Sequence, residues 1–305
     1  MSDPLSEVVR LLQPRGVFAN PISGKGNWAI RYSAYGKPSF CIVLEGSCLL
    51  TVEGHAPIAI SAGDFVLLPA TPALTISSFT AAPCTQLDPH LIAQGGEELR
   101  YGEQGGPPDM RSLGGAFVFD NADPQLLVSL LPAVVHVKDS TRLARLVHML
   151  GEEFMDKQPG SEFMLSRLIG MMLVEAMRST TTGVAPPGLL RGLGDERLAG
   201  ALKAMHAQVD RAWTVSELAK AAALSRSAFF DRFTRTVGVA PMEYLLSWRT
   251  EIAKDLLRRE RLPVAQVAER VGYASTSTFS VAFSRHVGQS PSRYAAGDEV
   301  IDPVQ

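Results

Sequence analysis

Two patterns of apolar and polar residues divide this chain. Between residues 29 and 80, short apolar runs alternate with turn residues and predict strands at residues 40–44, 48–52, 58–60, 65–68 and 74–77. Beyond residue 139, apolar residues recur every three or four positions, which is the spacing of one helical face. The pattern therefore predicts an α+β protein of several domains, with a β-rich N-terminal half and a helical C-terminal half.

The C-terminal third contains an internal repeat. Its first copy has the spaced residues Phe229, Phe233, Gly238, Pro241 and Tyr244, and fifty residues later the same types return as Phe279, Phe283, Gly288, Pro291 and Tyr294. Each copy predicts two short helices joined by a tight turn, and residues 242–260 between them predict one long amphipathic helix. Two short helices joined in this way form a helix-turn-helix unit, whose second helix enters a DNA major groove.

Charge is distributed unevenly along the chain. Residues 196–297 hold 15 Lys and Arg against 9 Asp and Glu, whereas the remainder holds 14 against 22, so the net charge of −2 hides a basic C-terminal domain. A basic domain beside an acidic one is typical of proteins in which one part meets nucleic acid. With 46% hydrophobic residues, the chain can also build sizeable cores.

Residues 195–297 resemble the DNA-binding domain of the AraC/XylS family of bacterial transcription regulators. The resemblance is carried by residues 216–233 and 267–294, the second of which is close to the signature of that family. It implies a domain of seven helices in which a long helix joins two helix-turn-helix units. It also implies double-stranded DNA and RNA polymerase as partners, with activation of transcription as the expected mode.

The face of each second helix that does not carry the repeated phenylalanines is expected to meet DNA. By similarity to the family, base contacts are expected from Ser227, Phe230, Asp231, Thr276, Ser277, Ser280 and Val281. Phosphate contacts, which position a protein without specifying sequence, are expected from Arg226, Arg235, Arg285 and Arg293. Asp231 departs from the family, which often has a long basic or amide side chain there. Phe230 fits either a thymine methyl group or helix packing.

The N-terminal half resembles the cupin β-barrel, a jelly roll that often precedes an AraC-type domain. Residues 43–47 and 63–69 carry this resemblance. The positions of the cupin metal ligands hold Tyr32, Ala34, Ser39 and Leu74, none of which supplies an imidazole or a carboxylate. We therefore expect no metal, no cofactor and no catalytic residue. The barrel is expected to sense a small-molecule effector or a stress signal, and a cupin enzyme or binder tethered to DNA is the alternative.

The three cysteines, Cys41, Cys48 and Cys84, are too few and too scattered for a disulfide scaffold. Relatives with this barrel type include regulators that respond to oxidants through thiols. A thiol-based redox-responsive regulator is therefore a second alternative, although cysteine is also among the residues most often buried for packing alone.

Two helices are predicted after the barrel, at residues 140–155 and 161–178. Each has an apolar face, and in the family such a pair commonly forms an antiparallel homodimer interface. The expected interface residues are Leu143, Leu146, Leu150, Leu165, Leu168 and Met172. Packing of the same residues against their own barrel is the alternative.

These observations predict a succession of domains along the chain. They are a cupin-like sensor barrel at 1–138, a helical dimerisation segment at 139–180, a linker at 181–195, the DNA-binding domain at 196–297 and a tail at 298–305. Residues 97–115, which are rich in glycine and proline, predict a long loop over the barrel. The chain shows neither a secretory leader nor an uninterrupted apolar run of about 18 residues, so we expect a cytoplasmic protein without a membrane segment.

Overall fold

The computed structural model describes residues 3–12, 14–89, 98–119, 131–156, 158–181 and 187–297. The chain divides into two compact units. We call Pro14–Ala185 the sheet unit, and Pro186–Gln305 together with Met1–Gln13 the helical unit. The predicted α+β class, with a sheet-rich N-terminal part and an all-helical C-terminal part, is confirmed.

The sheet unit contains two facing sheets. One has the strand order β11-β6-β3-β10-β1-β9 and the other β5-β4-β7-β2-β8. Core residues from both sheets, including Ile22, Val66, Leu50 and Ile76, form one apolar cluster between them. The strands are β1 Pro14–Lys25, β2 Ala29–Tyr32, β3 Ser39–Glu45, β4 Ser47–Val52, β5 Ile58–Ser61, β6 Phe65–Leu68, β7 Leu74–Ser77, β8 Cys84–Leu87, β9 Leu99–Gly102, β10 Met110–Phe119 and β11 Val135–Val137. The jelly roll is therefore two separate sheets rather than a closed barrel.

The five strands predicted from the apolar runs are confirmed as β3 to β7. The predicted loop at residues 97–115 is wrong, because this region forms β9 and β10, and β10 pairs with both β1 and β3. Its glycines serve the connection between the strands: Gly102 and Gly106 have φ of 76° and 73°, which other residues rarely adopt. The glycine-rich composition predicted one long loop, but in the structure Gly102 and Gly106 lie at the connection between two strands.

Two helices, α2 Thr141–Asp156 and α3 Ser161–Thr181, pack on the six-stranded sheet. The six apolar residues expected at a dimer interface are all buried within the chain, none more than 8% exposed, and they are Leu143, Leu146, Leu150, Leu165, Leu168 and Met172. The expectation that these residues face a second copy is therefore corrected. The inner face of the helix pair covers the sheet of its own chain, which was the alternative to a dimer interface.

The helical unit consists of α1 Pro4–Leu12, α4 Leu189–Gly194, α5 Leu198–Ala207, α6 Val215–Ala221, α7 Arg226–Val237, α8 Pro241–Arg258, α9 Val264–Arg270, α10 Thr276–Val287 and α11 Pro291–Ala296. Seven of these helices, α5 to α11, lie within residues 196–297. Two features differ from the expected boundaries: α1 groups with the helical unit rather than the sheets, and α4 lies inside the expected linker. The expected tail, residues 298–305, lies outside the described residues.

Helix α1 joins the helical unit through a buried polar contact. The imidazole of His206 lies 3.2 Å from the Glu7 carboxylate through Nδ1 and 2.7 Å from the Tyr244 hydroxyl through Nε2. Burial lowers the pKa of His206, and Glu7 opposes that change. Val8 and Leu12 are fully buried beside this contact, so α1 completes the core of the helical unit.

Within the described residues, no helix combines the length and the apolar character needed to cross a membrane.

Candidate nucleic-acid interface and sheet-unit cavity

The first helix-turn-helix unit is held by side-chain caps. Thr214 and Glu217 form a reciprocal capping box at the start of α6, and its hydrogen bonds lower the pKa of Glu217. Ala223, with φ of 51°, turns the chain, and the Ser225 hydroxyl accepts from the Ala228 N–H to begin α7. Gly238, with φ of 90°, ends α7. The predicted helix-turn-helix pattern is thus confirmed for this copy.

The second unit has the same order of helix, turn and capped helix, but no side chain caps its first helix. Pro263 precedes α9, Gly272 turns the chain, and the Ser275 hydroxyl accepts from the Thr278 N–H to begin α10. A side chain at Gly272 would clash, because its Cβ would lie 2.2 Å from the Asp210 carbonyl oxygen. The turn therefore requires glycine both for its φ of 81° and for this close approach.

The two units also share their core geometry. The rings of Phe229 and Phe233 lie 5.5 Å apart at 51°, and those of Phe279 and Phe283 lie 5.5 Å apart at 51° as well. All four phenylalanines are buried. The sequence repeat is therefore a repeat in structure, and each second helix, α7 and α10, keeps one face buried and leaves the other outward.

Helix α8 connects the two units. Its 18 residues span roughly 27 Å at about 1.5 Å per residue. Arg249 on this helix donates to the carbonyl oxygens of Val209 and Arg211, at 2.8 Å each, and its guanidinium lies over the Tyr273 ring. Arg249 thus ties the connecting helix to the turn of the second unit. Sequence reasoning missed this residue, because nothing in its local pattern distinguishes it from a solvated arginine.

The residues expected to face bases lie on the outward side of the two second helices. Six of the seven are exposed and Ser280 is half-buried; the exposed six are Ser227, Phe230, Asp231, Thr276, Ser277 and Val281. None is needed for the core, and the hydroxyls of Ser227 and Ser277 contact the capping serines Ser225 and Ser275. The structure thus leaves this set available to a partner in both copies.

The four arginines expected at phosphates are exposed, and in the described part of the chain no acidic group pairs with them. They are Arg226, Arg235, Arg285 and Arg293. Other arginines of this unit have structural partners: Arg232 binds the Asp195 carboxylate at 2.9 Å, and Arg258 lies over the Tyr294 ring. The arginines of this unit therefore fall into two groups: some contact other residues of the fold, and four are exposed and can bind an anion.

Comparison with known proteins covers both units. A cupin family pattern matches residues 3–182 and a helix-turn-helix domain pattern matches residues 218–297. An AraC-like transcription regulator of Streptomyces antibioticus is 36% identical over 96% of this chain and 98% of its own. One of Streptomyces lividans is 35% identical over 96% of this chain and 97% of its own.

This chain belongs to the AraC-like transcription regulators.

Among solved structures, this chain is similar to the DNA-binding domain of AdpA in complex with a target DNA. The two are 31% identical with a TM-score of 0.33, and the match covers 34% of this chain and 93% of the AdpA domain. The sequence-based recognition of an AraC-type domain after a cupin domain is confirmed by the family patterns. The regulator therefore combines a DNA-binding helix-turn-helix domain with a cupin domain.

The sheet unit of the regulator has a partly open cavity of about 330 Å³, lined by residues of both sheets. Among the described residues its lining contains no charged side chain. Three of the four positions that correspond to cupin metal ligands line it, and they carry the neutral side chains of Tyr32, Ser39 and Leu74. These residues do not fit a metal, because none offers an imidazole or a carboxylate.

Tyr32 places a polar group at the wall of this cavity. Its hydroxyl is buried and forms a hydrogen bond with the Tyr101 side chain, and burial is the main cause of its raised pKa. Nearby, the Thr71 hydroxyl donates to the Lys37 carbonyl oxygen at 2.5 Å and lies 2.7 Å from the Ser39 hydroxyl. The side-chain polar groups of Tyr32, Ser39 and Thr71 at this wall are all neutral hydroxyls.

The cysteines occupy different environments. Cys48 is buried in the core and Cys41 lines the cavity, and burial raises the pKa of both thiols, that of Cys41 to about 12. Such thiols are protonated at neutral pH and react slowly. Cys84 is exposed on β8.

Proposed function

We propose that this regulator binds double-stranded DNA with both helix-turn-helix units, each inserting its second helix into a major groove on one face of the duplex. The observation that carries the proposal is the repeated unit itself, with a serine cap on each second helix and equal phenylalanine geometry in both copies. The connecting helix, roughly 27 Å long, suits two grooves about 34 Å apart.

The seven outward residues of α7 and α10 are then the base-facing set, and the four unpaired arginines are the phosphate contacts. We assign no catalytic chemistry to the chain and place its action in the cytoplasm. The regulator would activate transcription by contacting RNA polymerase while bound to its operator, which is the mode that the family resemblance implies.

Selection of duplexes from a random pool by the full chain tests this function. The expected result is one enriched sequence that binds more weakly as salt rises, because each phosphate contact releases counterions. Enrichment of no sequence, or binding without salt dependence, would contradict it.

The sheet unit would act as the sensor, with its signal molecule in the inter-sheet cavity. A neutral lining that includes the hydroxyls of Tyr32, Ser39 and Thr71 favours a small uncharged molecule that forms hydrogen bonds. Binding there would shift an existing equilibrium between DNA-binding states by the difference in its affinity for them. A cupin enzyme is disfavoured because the ligand positions carry neutral residues.

The thiol alternative makes a prediction that differs from the cavity proposal. Iodoacetamide at pH 7 is expected to label one thiol per native chain, Cys84, because burial keeps the thiols of Cys41 and Cys48 protonated. Peptide mapping by mass spectrometry locates the label, and Cys84→Ser is the matched control, which should remain unlabelled. DNA affinity should be the same before and after peroxide treatment. Labelling of Cys41 or Cys48, or a peroxide-dependent change in affinity that cysteine variants abolish, would favour the redox sensor.

We also propose a homodimer, formed by the outer faces of α2 and α3. Five of the ten exposed large apolar side chains among the described residues lie on this helix pair: Met149, Met155, Phe163, Met164 and Met171. Methionine and aromatic residues are enriched at interfaces, and a cluster of exposed ones marks a contact surface. The inner face already covers the sheet, so the outer face is the surface left for a second copy.

Met171→Glu is expected to convert the dimer to a monomer, because it places a charge on this exposed apolar surface. Sedimentation velocity measures the change, and it should show a species of about half the mass. Gln158→Glu, which adds the same charge at the exposed turn between the helices, is the control and should leave the dimer intact. A Met171→Glu variant that remains dimeric would exclude this face.

A further inference from the structure

Both recognition helices present a large apolar side chain to the outside. Val281 on α10 is 71% exposed, the highest value among the exposed large hydrophobic residues of the described part of the chain, and Phe230 on α7 is 42% exposed. Neither packs into the core, which the phenylalanines fill. Exposed apolar groups in the middle of a face built for a charged partner require an explanation.

Most of the neighbours of these two residues are short, although each also has an arginine one turn away, Arg226 before Phe230 and Arg285 after Val281. Val281 is surrounded along α10 by the hydroxyls of Ser277, Ser280 and Ser284, and Phe230 has Ser227 one turn before it. The base-facing set contains no Arg, Lys, Asn or Gln, which are the residues that read guanine or adenine with two hydrogen bonds. The exposed arginines of these helices, Arg226, Arg235 and Arg285, are assigned to phosphates. What remains for reading bases is apolar contact, single hydroxyl bonds and the carboxylate of Asp231, which can accept from cytosine.

The major groove offers one apolar group, the C5-methyl of thymine. We propose that each recognition helix identifies a thymine by this methyl group, through Val281 in the second unit and Phe230 in the first. The inference rests on the proposed DNA binding and adds the base that is read.

The residue that would contact the thymine methyl group does not occupy the same repeat position in the two units. An offset of fifty residues matches Val281 to Asp231 and Ser280 to Phe230, so the apolar reader lies one position earlier in the first unit. The carboxylate of Asp231 also repels phosphates, and Val281 does not. The operator should therefore consist of two different half-sites, each with its own essential thymine, rather than two copies of one sequence.

The test uses the duplex selected from a random pool by the full chain. Each thymine is replaced in turn by deoxyuridine, which removes the methyl group and keeps every hydrogen-bonding group. We expect a loss of about fourfold in affinity at one thymine of each half-site, the value of one methyl group removed from contact. Replacements elsewhere should have no effect.

Protein variants identify the reader. Val281→Ala should bind the thymine duplex more weakly by a similar factor and lose its sensitivity to deoxyuridine in one half-site, and Phe230→Ala should do the same in the other. Met242→Ala, which shortens an exposed apolar side chain on α8 outside the recognition helices, is the matched control. Thermal unfolding checks that all three variants fold as the parent does.

Three results would overturn the inference. A tightly bound duplex that tolerates every deoxyuridine replacement would show that no methyl group is read, while the proposed DNA binding would stand. Variants that keep the full deoxyuridine penalty would assign the reading to other residues. Failure to select any duplex would overturn both the inference and the proposed function on which it rests.

Discussion

Phe283→Ala is expected to destabilise the helical unit by about 3–5 kcal/mol and to abolish tight DNA binding. The Phe283 ring is buried between Phe279 and Tyr294, at ring distances of 5.5 and 5.6 Å. Removing it leaves a cavity in the small core that holds α10 against α9 and α11. Domains have a free energy of unfolding of only about 5–15 kcal/mol, so this unit would lose much of its stability.

Urea unfolding followed by tryptophan fluorescence measures this change, because Trp213 and Trp248 lie in the helical unit. Phe233→Ala in the first copy should show a similar loss, since its ring has the equivalent contacts with Phe229 and Tyr244. Val281→Ala, on the same helix but exposed, is the control and should change stability by no more than about 0.5 kcal/mol. A Phe283→Ala variant as stable as that control would show that the duplicated core is not what holds α10.

Replacing the four unpaired arginines by glutamine is expected to lower DNA affinity on the order of a hundredfold at physiological salt. Each phosphate contact contributes about 0.9 to the slope of log affinity against log salt, so the four changes should reduce that slope by about 3 to 4. The changes are Arg226→Gln, Arg235→Gln, Arg285→Gln and Arg293→Gln. Fluorescence anisotropy with the selected duplex, across a salt series, measures both effects.

Paired variants separate the two units. The α7 pair and the pair on α10 and α11 should each remove about half of the total change in slope, because both units are expected to contact phosphates. Arg31→Gln with Lys138→Gln, which removes two exposed positive charges from the sheet unit outside α2 and α3, is the control for net charge. If that control lowers the slope as much as either pair, the effect is general charge rather than contact.

Much of the architecture could be predicted because its signals are local. The apolar runs located strands β3 to β7, and the fifty-residue repeat located both helix-turn-helix units with their buried phenylalanines. The outward-facing residues of α7 and α10 could be predicted as those that remain once the buried phenylalanine face of each helix is excluded. Periodicity and capping residues act over a few positions, so one sequence is enough to detect them.

What was missed depends on distant parts of the chain. An amphipathic helix pair looks the same whether it covers its own sheet or a second copy, so Leu143 and Leu168 were assigned to the wrong partner. Helix α1 joins the helical unit through Glu7 and His206, which are 199 residues apart. The role of Arg249 depends on the Val209 and Arg211 carbonyl groups, about forty residues before it. The cavity arises only when both sheets are in place.

Hydroxyl-radical footprinting of the full chain on its selected duplex tests most directly whether both second helices read a single DNA face. Our account predicts, for each bound subunit, two protected segments on each strand, centred about 10 base pairs apart, with the Arg226→Gln and Arg235→Gln pair weakening protection of one and the Arg285→Gln and Arg293→Gln pair that of the other. A single protected segment, or two whose centres differ by half a helical turn, would contradict it.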